Sequence, residues 1–209
     1  MKAFRWTIWS GLTLALALVV ATPAGADDEG VYGPAAPPGS AFLRVFNGTA
    51  QQEVDAHVAD KTMDNIGAYA ASDFVFLPPG NYTLTAGGAS QSITLKPDRY
   101  YTAALDGKKF HVVDNDRYAN KLKALVMLYN FVDGSSLSLR TSDGRPVIDK
   151  VGENAYGSRE VNPVKVTLAL YDGDKKVSEV KTITLERGHV FGLFATGSKD
   201  QPVTAWVMN

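Results

Sequence analysis

The chain has no cysteine, three histidines and three tryptophans among 209 residues, and no apolar run beyond Val20 approaching the length of a spanning helix. The first absence removes disulfides, thiol nucleophiles and thiolate metal centres together. Stability then has to come from packing alone. Neither sign of charge dominates, with 21 basic and 22 acidic residues and a net charge of −1, which argues against general affinity for nucleic acid. Apolar residues spaced for an amphipathic helix are scarce as well. What fills the chain instead is a series of short branched and aromatic runs ended by Asn, Gly, Asp or Pro, the pattern of strands and turns.

One such run, Leu43, Arg44, Val45, Phe46, Asn47, returns as Val126, Met127, Leu128, Tyr129, Asn130. Residues 77–86 align without gaps on 161–170, residues 95–104 on 185–194, and Ala68 and Tyr69 are matched to Ala155 and Tyr156. Tyr101 then falls on Phe191 and Arg99 on His189. The chain is one β unit written twice. Its loops differ, since 11 positions separate Leu84 from Leu95 and 17 separate Leu168 from Leu185. Strands that persist while loops diverge assign different surfaces to the two copies.

The start reads as an export signal. Lys2 and Arg5 precede an apolar stretch at 6–20, and Ala24, Gly25 and Ala26 supply small residues, so cleavage is expected between Ala26 and Asp27. That implies an exported chain. The stretch is short of the ~20 apolar residues a spanning helix needs. Residues 27–40 open with acids and continue with Pro, Gly and Ala, an extended tail without a core of its own. As well as tethering the signal to the first strand, a tail carrying Tyr32 and Pro34 would serve as a docking peptide with little entropy to lose.

Strands of the first unit are expected at 42–46, 53–58, 74–77, 82–86, 90–95, 100–105 and 110–113. Gly87 with Gly88 and Asp106 with Gly107 signal hairpins. Residues 59–72 break the pattern and read as an irregular connection, with a short helical turn or a degraded strand. The second unit is expected at 123–130, 136–140, 147–149, 158–161, 164–171, 177–185, 190–195 and 203–207. The fold class is all-β: two tandem sandwiches, immunoglobulin-like or carbohydrate-binding-module-like, at 41–113 and 123–209, joined by a polar linker at 114–122.

No catalytic constellation stands out. His57 and His111 lie inside expected strands and His189 at a strand start, none beside a carboxylate and a nucleophile. There is no G-x-S-x-G elbow, and Ser198 belongs to an expected hairpin. Asp114 with Asp116 and Asp172 with Asp174 read as turn residues, too few for a calcium loop. No catalytic residue, metal ligand or cofactor is assigned. Asn47 with Thr49 and Asn81 with Thr83 match the glycosylation spacing, which carries no weight for a bacterial exported protein.

Sugar binding is the alternative reading of the residues. Tyr82, Tyr101, Tyr129 and Tyr171 occupy strand positions whose counterparts are apolar, so core packing accounts for them, and Trp206 is core or interface by the same reasoning. Tyr32, Tyr69, Tyr118 and Tyr156 fall in the tail or loops and are better placed for exposure. Residues 118–209 carry 12 basic and 10 acidic residues against 7 and 9 in 42–117. Arg159, Lys165, Lys175 and Lys176 in that half would attract an anionic polymer.

The run Tyr32, Gly33, Pro34, Ala35, Ala36, Pro37, Pro38, Gly39, Ser40, Ala41, continuing into Phe42 to Asn47 behind an export signal, resembles the AlgF family of alginate biosynthesis proteins. The resemblance extends in order of elements through the 150–157 loop to the closing strand. It implies a periplasmic protein, peripheral to the inner membrane, required for O-acetylation of the exopolysaccharide during biofilm formation. It implies as partners a membrane acyltransferase complex and separate serine esterase-like O-acetyltransferases. The family supplies no catalytic motif to carry over. Both lines point to a non-catalytic adaptor, with Tyr32, Pro34, Tyr69 and Tyr156 as candidate docking residues; the alternatives are a module that presents alginate to the acetyltransferases and a divergent acetyltransferase.

Overall fold

A computed structural model describes residues 36–50, 53–115, 117–178 and 181–208. The export signal with Ala26 and Asp27, and the tail residues Tyr32 and Pro34, lie outside the described residues. Among the described residues there is no helix.

The first sandwich contains β1 (Ala41–Asn47), β2 (Glu53–Val58), β3 (Lys61–Gly67), β4 (Val75–Leu77), β5 (Gly80–Ala86), β6 (Ala89–Leu95), β7 (Tyr100–Asp106) and β8 (Lys109–Asn115). The second contains β9 (Ala124–Asn130), β10 (Ser136–Thr141), β11 (Pro146–Gly152), β12 (Ala155–Val161), β13 (Val164–Asp172), β14 (Lys175–Lys176), β15 (Lys181–Leu185), β16 (Val190–Gly197) and β17 (Pro202–Met208). In the first, the sheets are β4-β1-β7-β8 and β3-β2-β5-β6; in the second, β12-β9-β16-β17 and β11-β10-β13-β14, with β15 also on β13. The order repeats, with β14 and β15 on β13 taking the place of β6 on β5. In both, the first strand runs parallel to the next-to-last of its unit, β7 or β16: Arg44 faces Thr102 and Met127 faces Gly192.

The asparagine that ends each repeated run has a structural cause. Asn47 and Asn130 are fully buried. Asn47 donates to the Ile66 carbonyl at 3.1 Å while its oxygen accepts from Thr49 N at 3.1 Å. Asn130 does the same with the Val151 carbonyl at 3.0 Å and Val132 N at 3.0 Å. Each ties the end of one sheet to the opposite sheet. No other side chain of that size offers a donor and an acceptor so close to the backbone.

The irregular connection at 59–72 is corrected by β3. Asn65 has φ 55° and inserts a bulge, so that Val54 faces Ile66 but Ala56 faces Met63. The buried residues Met63 and Ile66 are therefore three apart, a spacing that imitates a helix. Lys150 at φ 52° makes the same bulge in β11 between Ile148 and Val151. Asp55 accepts from Asn65 N at 2.8 Å in one copy and Ser138 Oγ from Lys150 N at 3.1 Å in the other. The matched bulges and the turns after them also fix the alignment: Tyr69 N donates to Asn47 O and Asn154 N to Asn130 O, both at 2.8 Å. Tyr69 thus stands where Asn154 does, not where Tyr156 does.

Each sandwich has its own core, around Leu43, Val45, Leu84 and Leu105 in the first and Val126, Leu128, Leu139 and Leu193 in the second. A third cluster joins them, containing Phe46, Ala104 and Val113 from the first and Leu125, Met127, Tyr129, Phe131 and Phe194 from the second. Alternate residues of β1 and β9 point into their own sandwich and the others into this seam. Strands covered on both faces read as unbroken apolar runs, and β9 is buried at every position.

Candidate functional site: the seam between the sandwiches

Phe46 stacks on Phe194 at 4.1 Å between ring centres, Phe194 on Tyr129 at 4.4 Å, and Tyr129 on Tyr156 at 6.0 Å. This aromatic column crosses from one sandwich to the other. Rings of this size, fully buried, each stabilise by about 1.5–3 kcal/mol. Gly48 lies beside it because there is no room for a side chain: a Cβ there would sit 2.8 Å from the Leu105 carbonyl and 3.1 Å from Thr196 Oγ1.

Arg44 is 2% exposed within the seam. Its Nε donates to Thr102 Oγ1 at 3.1 Å and its Nη2 to the Tyr129 hydroxyl at 3.3 Å. The guanidinium lies 4.8 Å from the Phe74 ring centre and 5.4 Å from that of Phe194, within cation–π reach of both. Thr102 Oγ1 passes the chain on to Asn115 Oδ1 at 3.2 Å. His111 is at the same face, with its Nε2 buried and 3.7 Å from Asp106 Oδ2. Among the described residues neither that nitrogen nor Asn115 Nδ2 has a hydrogen-bond partner.

Where the linker passes β12 the seam opens into a cleft of about 320 Å³ lined by Arg117, Tyr118, Leu125, Met127, Tyr156, Ser158, Arg159 and Glu160. Leu125 and Met127 are buried and form its apolar floor. Tyr118 is held by a 2.7 Å bond from its hydroxyl to the Lys123 carbonyl. Burial pushes that hydroxyl above the usual phenol range, and the Glu160 charge adds to the rise. Tyr100 is raised by burial too, with Arg117 opposing and Asp98 reinforcing the shift. Arg159 is exposed and anchored by bonds from Nη1 to the Pro146 and Val147 carbonyls at 3.1 and 3.4 Å.

The structure thus brings together two of the candidates, Tyr156 and Arg159, and adds Arg117, which the sequence reading passed over. Tyr69 and Tyr156 are half-buried against the seam cluster rather than freely exposed. Tyr118, expected to be exposed as a loop residue, is 7% exposed because the linker folds its ring under the second sandwich. Tyr129 packs at the seam and not within one sandwich, while Trp206 packs against the second core. Lys165, Lys175 and Lys176 are exposed but not gathered. Lys165 faces Thr184 near the start of β13, and Lys176 faces Tyr171 six positions further along, about 20 Å away at strand rise. Arg159 lies on the other sheet.

His57 is exposed, with Nδ1 3.2 Å from Thr62 Oγ1, and among the described residues no carboxylate orients its ring. His189 is exposed near Phe191. Ser198 caps its own hairpin by accepting from Gln201 N at 3.2 Å. Asp114, expected in a turn, is in β8 and pairs with Arg99 at 2.7 Å. Among the described residues no group of three or more His, Asp or Glu is placed to hold a metal ion.

Fold and site define a tandem β-sandwich protein whose buried polar and aromatic groups concentrate where its halves meet. The family described as alginate O-acetyl transferase AlgF matches residues 12–192. The chain is 46% identical over 202 residues to alginate biosynthesis protein AlgF of Pseudomonas aeruginosa, covering 95% of this chain and 93% of that one. It is 36% identical over 208 residues to the protein of the same name from Azotobacter vinelandii, covering 99% and 95%. The chain belongs to the AlgF family. Solved structures of the C-terminal and N-terminal domains of AlgF from P. aeruginosa are 50% and 38% identical. They cover 43% and 39% of this chain and 100% and 99% of their own, with TM-scores of 0.40 and 0.36.

Proposed function

We propose that this chain is a non-catalytic periplasmic adaptor in O-acetylation of alginate, reaching its compartment by cleavage of the export signal. It docks acetylation proteins, the membrane acyltransferase complex and the periplasmic O-acetyltransferases, on one rigid body. Membership of the AlgF family supports the pathway. The observation that carries the adaptor reading is the seam, which fixes two sandwiches with different outer surfaces in one orientation. Two partners held on such a body meet at raised effective concentration without any chemistry by the body itself.

The test is co-purification of the tagged chain from the periplasm and membranes of alginate-producing cells, with mass spectrometry of what survives a salt wash. Recovery of acetyltransferases is expected. Recovery of polymer alone, or of nothing, would sink the adaptor. The family description contains the word transferase, so the same preparation is to be incubated with a labelled acetyl donor: no stable label on any serine is expected, and one labelled serine would overturn the non-catalytic assignment.

A further inference from the structure

We propose that the cleft between the linker and β12 is the docking pocket for an acidic segment of a partner protein. A carboxylate side chain meets Arg117 and Arg159 while a neighbouring apolar side chain covers Leu125 and Met127. The inference rests on the adaptor reading and says where one partner binds and by what chemistry.

The charges carry the argument. Arg99, Arg140 and Arg145 each lie within 4 Å of an aspartate: 2.7 Å from Asp114, 3.7 Å from Asp174 and 2.7 Å from Asp143. Arg117 and Arg159, both exposed at the cleft, have no carboxylate partner among the described residues. The cleft's one acid, Glu160, accepts instead from Asn120 Nδ2 at 2.7 Å. Arg159 is oriented in advance by the Pro146 and Val147 carbonyls, so little side-chain freedom is lost on binding. Planar guanidinium groups matched to carboxylates, around an apolar floor walled by two tyrosines, have the make-up of an interface hot spot.

A peptide fits this chemistry better than a polysaccharide. Tyr118 is nearly buried with its hydroxyl committed, and Tyr156 stacks on Tyr129, so neither offers an open platform for a sugar ring. Sugar hydroxyls over Leu125 and Met127 would lose water and gain no partner. An apolar side chain next to an Asp or Glu meets no such penalty.

The experiment places a photo-crosslinking amino acid at Ser158, an exposed cleft residue, in the full chain in alginate-producing cells. It is repeated with Arg117→Glu/Arg159→Glu and with Arg117→Lys/Arg159→Lys. The expected adduct lies on a partner polypeptide within a few residues of an Asp or Glu. Its yield should fall by about tenfold or more on charge reversal and by clearly less in the lysine pair, which keeps the charges but loses the planar forks. Thermal melts of both variants matching the parent exclude misfolding; should the reversed pair not fold, Arg117→Gln/Arg159→Gln, which removes both charges at similar size, carries the test and should lower the yield by about threefold or more. Adducts on polysaccharide, adducts on the chain's own acidic residues at 27–29, or a yield indifferent to charge reversal would each overturn the proposal. If acetyltransferases co-purify but no adduct forms at Ser158, the pocket is wrong and the adaptor stands; if nothing co-purifies, the adaptor reading itself has failed.

Discussion

The two faces that meet at the seam hold equivalent places in equivalent sheets, yet their chemistry is opposite. The registers match Arg44, Thr102 and His111 of the first sandwich to Met127, Gly192 and Ala205 of the second. One face carries a cation and hydroxyl and imidazole groups; the other presents Phe194, Tyr129 and aliphatic surface. Duplication supplies two like faces, and divergence has made them complementary. A face of either kind meets its own copy poorly, because two buried guanidinium groups would repel and two ring faces would leave the Tyr129 hydroxyls without the guanidinium.

The largest effect is expected from removing the ring that both faces share. Phe194→Ala should cost about 3–5 kcal/mol. Phe194 belongs to the seam and not to the second core. Urea unfolding should therefore separate into two transitions, and a single unchanged transition would show that the sandwiches are not coupled through it. Next comes Arg44. Arg44→Ala should cost about 2–4 kcal/mol, partly from the cavity left among the rings and partly from the lost bonds to Thr102 and Tyr129, whereas Arg44→Met, the residue of the equivalent place, refills the volume and should recover about half of that loss. Equal losses would mean that the cation itself, and not its volume, holds the seam.

Asn130→Ala and Asn47→Ala should each cost about 2–3 kcal/mol, because beyond the paired backbone bonds Asn130 donates to Ser135 Oγ at 3.0 Å and Asn47 accepts from Thr49 Oγ1 at 2.7 Å. Denaturation midpoints of the two variants test that equality. Smaller again is the alkaline limb. The Tyr100 and Tyr118 hydroxyls are raised in the folded chain, so their contribution is complete below the ordinary phenol pKa of about 10 and is lost as pH climbs through the raised values. Tyr118→Phe should cost about 1 kcal/mol at neutral pH through the lost Lys123 bond and flatten the alkaline fall. The smallest effect is expected far from the seam, at Asp143. Its carboxyl is lowered by the Thr141 hydroxyl bond and by Arg145, a contribution present above the ordinary carboxylate range and lost as pH drops through the lowered value. Asp143→Asn should leave the neutral melting point unchanged and alter only the acid limb.

Much of the fold was legible because the repeat preserves what the backbone needs. Asn47 and Asn130, the glycine turns, and the gapless match of 77–86 to 161–170 all record constraints internal to one sandwich. The strand β3 was hidden because its bulge spaces Met63 and Ile66 like a helix. The seam was hidden for a different reason: a contact between units leaves no periodic signature of its own. Its trace was the continuous apolar run at 124–129, beside the alternation of Glu53, Val54, Asp55, Ala56 in β2, where one face meets solvent. Arg44 resembled a surface charge in a strand, and nothing near it in sequence announces the rings that cover it. Of the cleft, Tyr156 and Arg159 were legible as residue types, while Arg117 was lost in a polar linker that only the docked sandwiches turn into a wall.

The parallel pairing of β1 with β7, and of β9 with β16, has a consequence for how the chain assembles. A chain appearing from its N-terminus can pair β1 with β4 but cannot flank it on both sides until β7 has followed, and Arg44 reaches Thr102 only across 58 positions. Thr196 joins Gly48 across 148 positions. The first sandwich can therefore close well before the second exists, and in that interval Arg44 and Phe46 face solvent on a finished surface. Closure of such long loops is slow. The half-made chain presents its most adhesive face for the longest time, which makes the rate at which the second half arrives, and not the final stability, the quantity that decides between folding and aggregation.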